Sequence, residues 1–390
     1  MADAGIRVRS YNVGFGDCFL VTFPDGDATR NMMIDFGNAP GQPNTDYPAI
    51  MQNVHEETGG RLDVVVMTHE HLDHMEGFYA QKSMFNEFEV DWVWMSLPSH
   101  PDYYDDYPNA RPLKRIRELA RDFYQRAVHN KIALAPSFAT LLQNNLSNVD
   151  RIEYVRGLAK KSDQVLYLRR GVSVVKKPFS ANVKIKILAP ESDVSIYYGG
   201  RGDNHLSAMS RRLAIASGDS VIDEKDPWQF ANVPREERDP PNLSERDWRV
   251  LRTSIQNGGV EAIRAIDRAA NNTSLVFTME VNGARLLFPG DAELESWDVM
   301  AAKCAADLRA IDFLKVSHHG SHNGTPTELL DKLLPKKRKH RATIMVSTQS
   351  KVYGTENPVP DEELMNTLRE HCKTLITTDG RSDLWVDATL

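Results

Sequence analysis

The sequence predicts an α/β fold, and three observations predict it. Short β-type runs alternate with turn chemistry as far as Met95; strand patterns resume at Ser274 and there alternate with helical ones; and three histidines and an aspartate follow directly on an apolar run at Val64-Val65-Val66-Met67. The first strand candidates are Ile6–Val13, Cys18–Phe23, Met32–Asp35, Leu62–Met67 and Asp91–Met95. Between them stand Gly14-Phe15-Gly16-Asp17, Pro24-Asp25-Gly26-Asp27 and Gly37-Asn38-Ala39-Pro40-Gly41, which are turn sequences. Residues 97–180 read as an insertion. It is aromatic and acidic from Pro98 to Tyr107, helical in spacing over Arg111–Val128, and more weakly so over Phe138–Leu146 and Arg151–Lys160. β-type runs return at Val172–Val175 and Val183–Leu188. Residues 191–270 read as a second, irregular insertion containing Gly199-Gly200-Arg201-Gly202-Asp203 and Asp239-Pro240-Pro241. The remaining expectations are strands at Leu275–Val281 and Arg285–Phe288 around an Asn282-Gly283 turn, a helix near Leu294–Arg309, a strand at Phe313–Val316, and a helix at Thr327–Leu334. A strand at Ala342–Ser347, a helix at Asp361–Cys372 and strands near Leu375 and Leu384 close the chain.

Composition bounds the setting. A chain of 390 residues can bury a large core, and length alone is compatible with two or three domains or with one large α/β domain carrying insertions. A formal charge of -7 excludes a surface coated in positive charge, although a local basic groove would not show in that sum. Cys18, Cys304 and Cys372 form no C-x-x-C pair, so neither a disulfide framework nor a cysteine zinc ribbon is indicated. The amino terminus carries no basic-then-apolar signal, and no apolar run approaches the roughly 18 residues of a membrane span. The expectation is a cytoplasmic protein without membrane association.

The stretch Thr68-His69-Glu70-His71-Leu72-Asp73-His74 is the most informative in the chain. Imidazole and carboxylate are the ligands a zinc-like ion takes when no thiolate is offered, and H-x-H-x-D-H at a strand end concentrates four of them. One loop does not complete a metal site. Phe288-Pro289-Gly290-Asp291 places a later carboxylate after an apolar strand, and Leu314-Lys315-Val316-Ser317-His318-His319-Gly320-Ser321-His322 places imidazoles after another.

These motifs, in this order, resemble the metallo-β-lactamase superfamily, and within it the hydrolase domain of competence-type DNA-uptake channels and its soluble relatives. Val13-Gly14-Phe15-Gly16-Asp17-Cys18, Met33-Ile34-Asp35, Asn271-Asn272-Thr273-Ser274-Leu275-Val276, Pro289-Gly290-Asp291-Ala292-Glu293 and Leu314 to Ser321 carry the likeness from residue 8 onward, outside the insertions. The resemblance implies an αββα sandwich, one domain over residues 1–390, with a dinuclear site. By position, His69 and His71 hold a first metal, Asp73 and His74 a second, and Asp291 bridges. His318 is favoured over His319 to complete the second shell, with His319 then touching substrate. Asn272, Ser274 and Asp35 support the site. The implied cofactors are two divalent ions, zinc or manganese.

Two departures stand out. Better-known branches supply a third histidine to the first metal, but here only His100, His129 and His205 lie in the interval, none after a convincing strand. Val352-Tyr353-Gly354-Thr355-Glu356-Asn357-Pro358 also resembles a Y-G-x-x-H-P pattern with Asn357 in place of the histidine. The implied activity is a metal-dependent hydrolase acting on phosphodiester bonds, a nuclease or phosphodiesterase, with a nucleic acid or nucleotide as substrate. Two metals activate a water that Asp73 positions, and His319, His322 or Lys315 binds an anionic group or protonates the leaving group. The alternatives are a thioester or lactone hydrolase, and a partner-binding regulatory protein with a degenerate site. Arg169-Arg170 and the run from Lys336 to Arg341 are candidate phosphate contacts; Tyr103, Tyr104, Tyr107 and Trp228 are candidate stacking residues. A protein partner would dock on the insertions.

Overall fold

A computed structural model describes residues 5–42, 45–114, 117, 118, 121, 125, 136–146, 148–174, 178–197, 264, 266–350, 352 and 358–390. The first sheet holds β1 (Arg7–Tyr11), β2 (Cys18–Asp25), β3 (Ala28–Phe36), β4 (Arg61–Met67), β5 (Glu89–Ser96), β6 (Val165–Leu168) and β13 (Trp385–Thr389), in the order β13-β1-β2-β3-β4-β5-β6. The second holds β7 (Lys184–Ala189), β8 (Val276–Val281), β9 (Ala284–Phe288), β10 (Phe313–Lys315), β11 (Thr343–Val346) and β12 (Thr374–Thr377), in the order β12-β11-β10-β9-β8-β7. Strands β3 to β6 run parallel to one another, as do β9 to β12, while β2–β3 and β8–β9 pair antiparallel.

Alternation of side chains explains the layers. Met32 and Ile34 of β3 and Val64 and Val66 of β4 face the second sheet, where they meet Phe277, Phe288, Phe313 and Met345 in one core. Met33, Phe36, Val65 and Met67 point the other way and pack on Ile50, Met51 and Val54 of α1 (Tyr47–Thr58) and Met75 and Phe78 of α2 (Leu72–Ala80). On the far side, Leu287, Leu314 and Ile344 pack on Trp297 and Met300 of α5 (Leu294–Lys303) and Leu364 and Leu368 of α6 (Glu362–His371). Strands buried on both faces read as continuous apolar runs, which is why β4 was legible as one. The result is the expected αββα sandwich.

Between β5 and β6 lie α3 (Pro136–Leu146) and α4 (Val149–Arg156). Strand β6 itself is an element the sequence pattern missed, whereas Val172–Val174 is not strand: the chain turns at Gly171, at φ 80°, and Val174 enters the core from a loop. Residue 175, most of Arg111–Val128 and most of 191–270 lie outside the described residues. Among the described residues, no helix is long and apolar enough to cross a membrane.

Candidate metal centre

Parallel strands deliver their loops to one edge of each sheet, and the candidate ligands stand at those carboxyl ends. Strand β4 ends at Met67, and α2 begins at Leu72, so Asp73 and His74 fall in the first helical turn. Asp35, at the end of β3 with φ 55°, accepts from Thr68 N (2.8 Å) and Thr68 Oγ1 (2.7 Å) and so anchors the loop. The loop is also pressed from behind. A Cβ on Gly37 would stand 2.2 Å from the Leu72 carbonyl, and one on Gly16 would stand 2.5 Å from that of Asp73, so only glycine allows this approach.

Each candidate imidazole gives one nitrogen to the protein and turns the other inward. His69 Nδ1 lies 3.1 Å from Thr68 Oγ1 while its Nε2 lies 3.1 Å from His71 Nδ1. On the far side of that second ring, His71 Nε2 meets Asn145 Oδ1 at 2.9 Å. His74 pairs Nδ1 with Asp35 Oδ2 at 2.8 Å and turns Nε2 to Asp291 Oδ2 at 3.0 Å. His319 Nδ1 donates to the Ser347 carbonyl (3.0 Å), and its Nε2 lies 3.1 Å from Asp291 Oδ2 and 3.3 Å from Asp73 Oδ2. Ligand atoms of Asp73, His74, Asp291 and His319 all lie within 4.8 Å of one another and could hold a metal ion. Asp73 Oδ1 is buried without a hydrogen bond, as expected of an atom whose partner is a cation. Asp17, Asp35 and His74 form a second such group, but Asp35 is held by Thr68 and Asp17 by Lys315.

Electrostatics divide the site in two. Burial pushes His69 well below its ordinary value and His71 down to about 4, so both rings are neutral and present lone pairs. Burial opposes charge on His74 and His319 as well, but carboxylates overrule it. Asp291, Asp35 and Asp73 hold His74 well above its ordinary value, and Asp291 and Asp17 bring His319 up to about 10. Against the desolvation of their own burial, His319 and His74 hold Asp291 ionised, and Asp73 is lowered chiefly by His74. Ligation requires both protonated rings to give up their inward protons.

Several expected site residues stand apart from the quartet. His318 does not join the quartet: His318 and His319 both take left-handed backbone, at φ 48° and 52°, and this double reversal turns His319 inward. His318 stays partly exposed, with Nδ1 3.2 Å from Asn323 Oδ1 and Nε2 3.3 Å from Asn271 Nδ2. Lys315 is not placed to grip a substrate anion. It is 2 % exposed, and its three N–H groups are taken by Gly290 O (2.8 Å), Asp291 Oδ1 (3.1 Å) and Asp17 Oδ2. His322 is exposed and outside the cluster. Asn272 serves the backbone, its Oδ1 accepting from Glu293 N (3.2 Å) and Ser296 N (3.0 Å) at the start of α5, while Ser274 Oγ accepts from Asp291 N at 3.1 Å.

The remaining candidates fall elsewhere. His100 packs on Tyr167 at 4.6 Å between ring centroids, and Tyr103 is buried, donating to Ser192 O (3.1 Å). Arg170 is paired with Glu191. The run from Lys336 to Arg341 precedes β11, at the opposite end of the sheet from the site, and there Lys336 pairs with Glu370 and Arg338 with Asp312. His129, His205, Trp228 and Tyr353 to Asn357 lie outside the described residues. Residues that sequence reasoning missed are Asn144, Asn145, Asn148 and Asp267, which surround the loop from the insertions; no spacing rule marks them.

No family model matches the chain. Over 109 residues it is 30% identical to ComE operon protein 3 of Bacillus subtilis (strain 168), a match covering 28% of this chain and 13% of that protein. The chain thus matches only about an eighth of the length of that curated relative. Among solved structures it aligns with the metallo-beta-lactamase fold protein YhfI from Bacillus subtilis at 7% identity and TM-score 0.36, covering 97% of this chain and 99% of that one. The αββα sandwich, with a strand-end loop bearing His69, His71, Asp73 and His74 in one sheet and Asp291 and His319 arriving from the other, is the arrangement expected from the resemblance to the metallo-β-lactamase superfamily.

Proposed function

We propose that this protein is a metal-dependent hydrolase acting on phosphodiester bonds, built as one domain over residues 1–390 with its insertions around the site. The observation that carries the reading is the pairing of two ligand sets. The Nε2 of neutral His69 faces the Nδ1 of neutral His71 at 3.1 Å, beside the quartet of Asp73, His74, Asp291 and His319. In this reading His69 and His71 would hold one divalent ion and the quartet the other; Lys315 occupies Asp291 Oδ1, which leaves Oδ2 free for that role. Nitrogen and oxygen donors without a thiolate suit zinc or manganese. When bound, two such ions supply Lewis acidity and an activated water for hydrolysis.

The chain's own groups do the rest. Asp73 is ionised and aimed inward, so it can accept a hydrogen bond from an attacking water and orient it; Asp35 and Ser347 keep the rings of His74 and His319 from rotating. A phosphodiester is favoured over a neutral acyl group by the cleft beside Glu70. This cleft, about 380 Å³, is lined by Lys114, Arg117, Arg121 and Arg156 with Tyr104 among them. Glu70, Glu118 and Glu153 line the same cleft and Arg117 is paired with Glu70 at 2.9 Å, so Lys114, Arg121 and Arg156 are the cations offered to a phosphate, with Tyr104 beside them for a base.

The test is a panel of single-stranded and duplex DNA, RNA, a cyclic dinucleotide, bis-p-nitrophenyl phosphate and a thioester, run with added Mn²⁺ or Zn²⁺ and alongside Asp73→Ala. Phosphodiester turnover abolished by the substitution is expected. Turnover of the thioester alone would replace the substrate class, and activity surviving in Asp73→Ala would sink the mechanism.

A further inference from the structure

The metal loop is gripped by asparagines that come from the first insertion. Asn144 Oδ1 accepts from the Asp73 backbone N–H at 3.2 Å, and Asn148 Nδ2 donates to the Glu70 carbonyl and to Asn144 O (3.0 Å). Between them, Asn145 Oδ1 meets His71 Nε2 at 2.9 Å, while Asn145 Nδ2 donates to Leu141 O (2.9 Å) and to Asp267 Oδ1 (2.8 Å). All three asparagines are buried. Asp267 belongs to the helical segment 266–271, at the end of the second insertion.

The chemistry of these groups leaves one consistent assignment. A carboxylate accepts only, so Asp267 fixes which end of the Asn145 amide is the NH₂. The amide oxygen must then face His71, and it can only accept, so the proton of the neutral ring sits on Nε2. That leaves the Nδ1 lone pair directed at the space shared with His69 Nε2. A metal-ligating imidazole needs this arrangement, with one nitrogen free and the other N–H held.

We infer that Asn145, oriented by Asp267, is a positioning residue for the His69–His71 half of the site: the two insertions meet behind His71 and set the tautomer in which it binds metal. The inference rests on the metal reading of the site but not on any substrate. It also gives the insertions a task distinct from substrate choice or docking. The sequence offers His69 and His71 no third histidine after a strand, so the orientation of these two rings matters more to that ion.

The test is metal binding by the full-length apoprotein, titrated with Zn²⁺ against a chromophoric chelator, with the imidazole nitrogen chemical shifts of His71 read in parallel. Wild type is expected to bind two ions. Asn145→Leu is expected to weaken one of them by about 10–100-fold, leave the other unchanged, and shift His71 toward a tautomer mixture. The exchange Asn145→Asp with Asp267→Asn rebuilds the acceptor toward His71 and a donor from position 267 to residue 145, loses the bond to the Leu141 carbonyl, and is expected to restore the His71 tautomer and part of the lost affinity. A purely structural role would not produce that rescue or the selectivity for one ion. If Asn145→Leu fails to fold, Asp267→Leu carries the test through the same shifts. Unchanged binding of both ions and an unchanged His71 tautomer in the folded variant would overturn the inference alone. A wild type that binds no ion would overturn the metal reading itself.

Discussion

Lys315→Met is the most demanding test of how the site is held together. The ammonium is buried between Asp17 and Asp291, which are each 1 % exposed, and it also binds the Gly290 carbonyl at 2.8 Å. Burial alone would favour a neutral amine, yet Asp17 and Asp291 raise its pKa above the ordinary lysine value, so it is charged. Removing one partner of a buried ion pair costs about 3–5 kcal/mol, because the other charge stays buried without compensation. Here His319 Nδ1 and His74 Nδ1 lie 3.5 and 3.7 Å from Asp17 carboxylate oxygens and would absorb part of that penalty. The lost bond to Gly290 O adds about 1 kcal/mol. The expected loss for the apoprotein is therefore about 3–5 kcal/mol, measured as a lower urea midpoint. Asp17→Asn in the same chain should return most of it by deleting the orphaned charge. A loss under about 1 kcal/mol, or a double variant no more stable than Lys315→Met, would show that the ammonium does not hold these carboxylates.

Three further outcomes follow from the geometry. His319→Ala should lose one bound ion per chain and His318→Ala should keep both, read by metal content after dialysis; the reverse pattern would restore His318 as the ligand. Gly37→Ala should destabilise the apoprotein by about 1–3 kcal/mol and lower its metal content, because the added methyl falls 2.2 Å from the Leu72 carbonyl; wild-type stability would refute the close approach. Glu191, bound by Arg170 and by Lys303 Nζ at 3.2 Å, has a pKa below the ordinary glutamate value because those bonds outweigh its burial. A depressed carboxylate contributes stability above its unfolded pKa and loses it as pH falls through the folded one. Glu191→Gln should thus cost about 1 kcal/mol at pH 7 and little near pH 3, and an equal cost at both values would contradict the linkage.

What the sequence revealed and what it concealed have physical reasons. Strands β3 and β4 were legible because burial on both faces makes their apolar runs continuous, and the loop after β4 because ligand residues cluster within a few positions. Helix α1 escaped notice although its signals were present: Asp46 Oδ1 caps Ala49 N at 3.0 Å, and Gly59 ends the helix at φ 63°. Strand β6 is four residues long and only partly buried at its start, so its pattern is too short to separate from a loop. The choice between His318 and His319 turned on two successive left-handed residues, a conformation that composition does not encode for histidine. The asparagine grip was invisible for another reason: Asn144, Asn145 and Asn148 acquire meaning only when α3 lies against the loop, across more than 70 residues of chain.

The division of charge within the site says what it is built to do. A fold under no functional demand has little reason to bury Asp17, Asp35, Asp73, Asp291 and Lys315 together with four histidines, since each buried charge costs more than an apolar replacement of the same shape. The network remains because its members restrain one another. Asp35 ties Thr68 to His74, Lys315 ties Asp17 to Asp291, and Ser347 ties His319 to the end of β11. In each case the restraining bond is made on the side facing away from the shared space, which leaves Asp73 Oδ1, Asp291 Oδ2 and the inward nitrogens converging where a cation would stand. Both sheets contribute, His74 and Asp73 from the first and Asp291 and His319 from the second, so the quartet exists only when the sandwich is closed. Metal binding and the folded state are for that reason linked: an ion that needs all four ligands stabilises the closed sandwich over every form in which the sheets have parted.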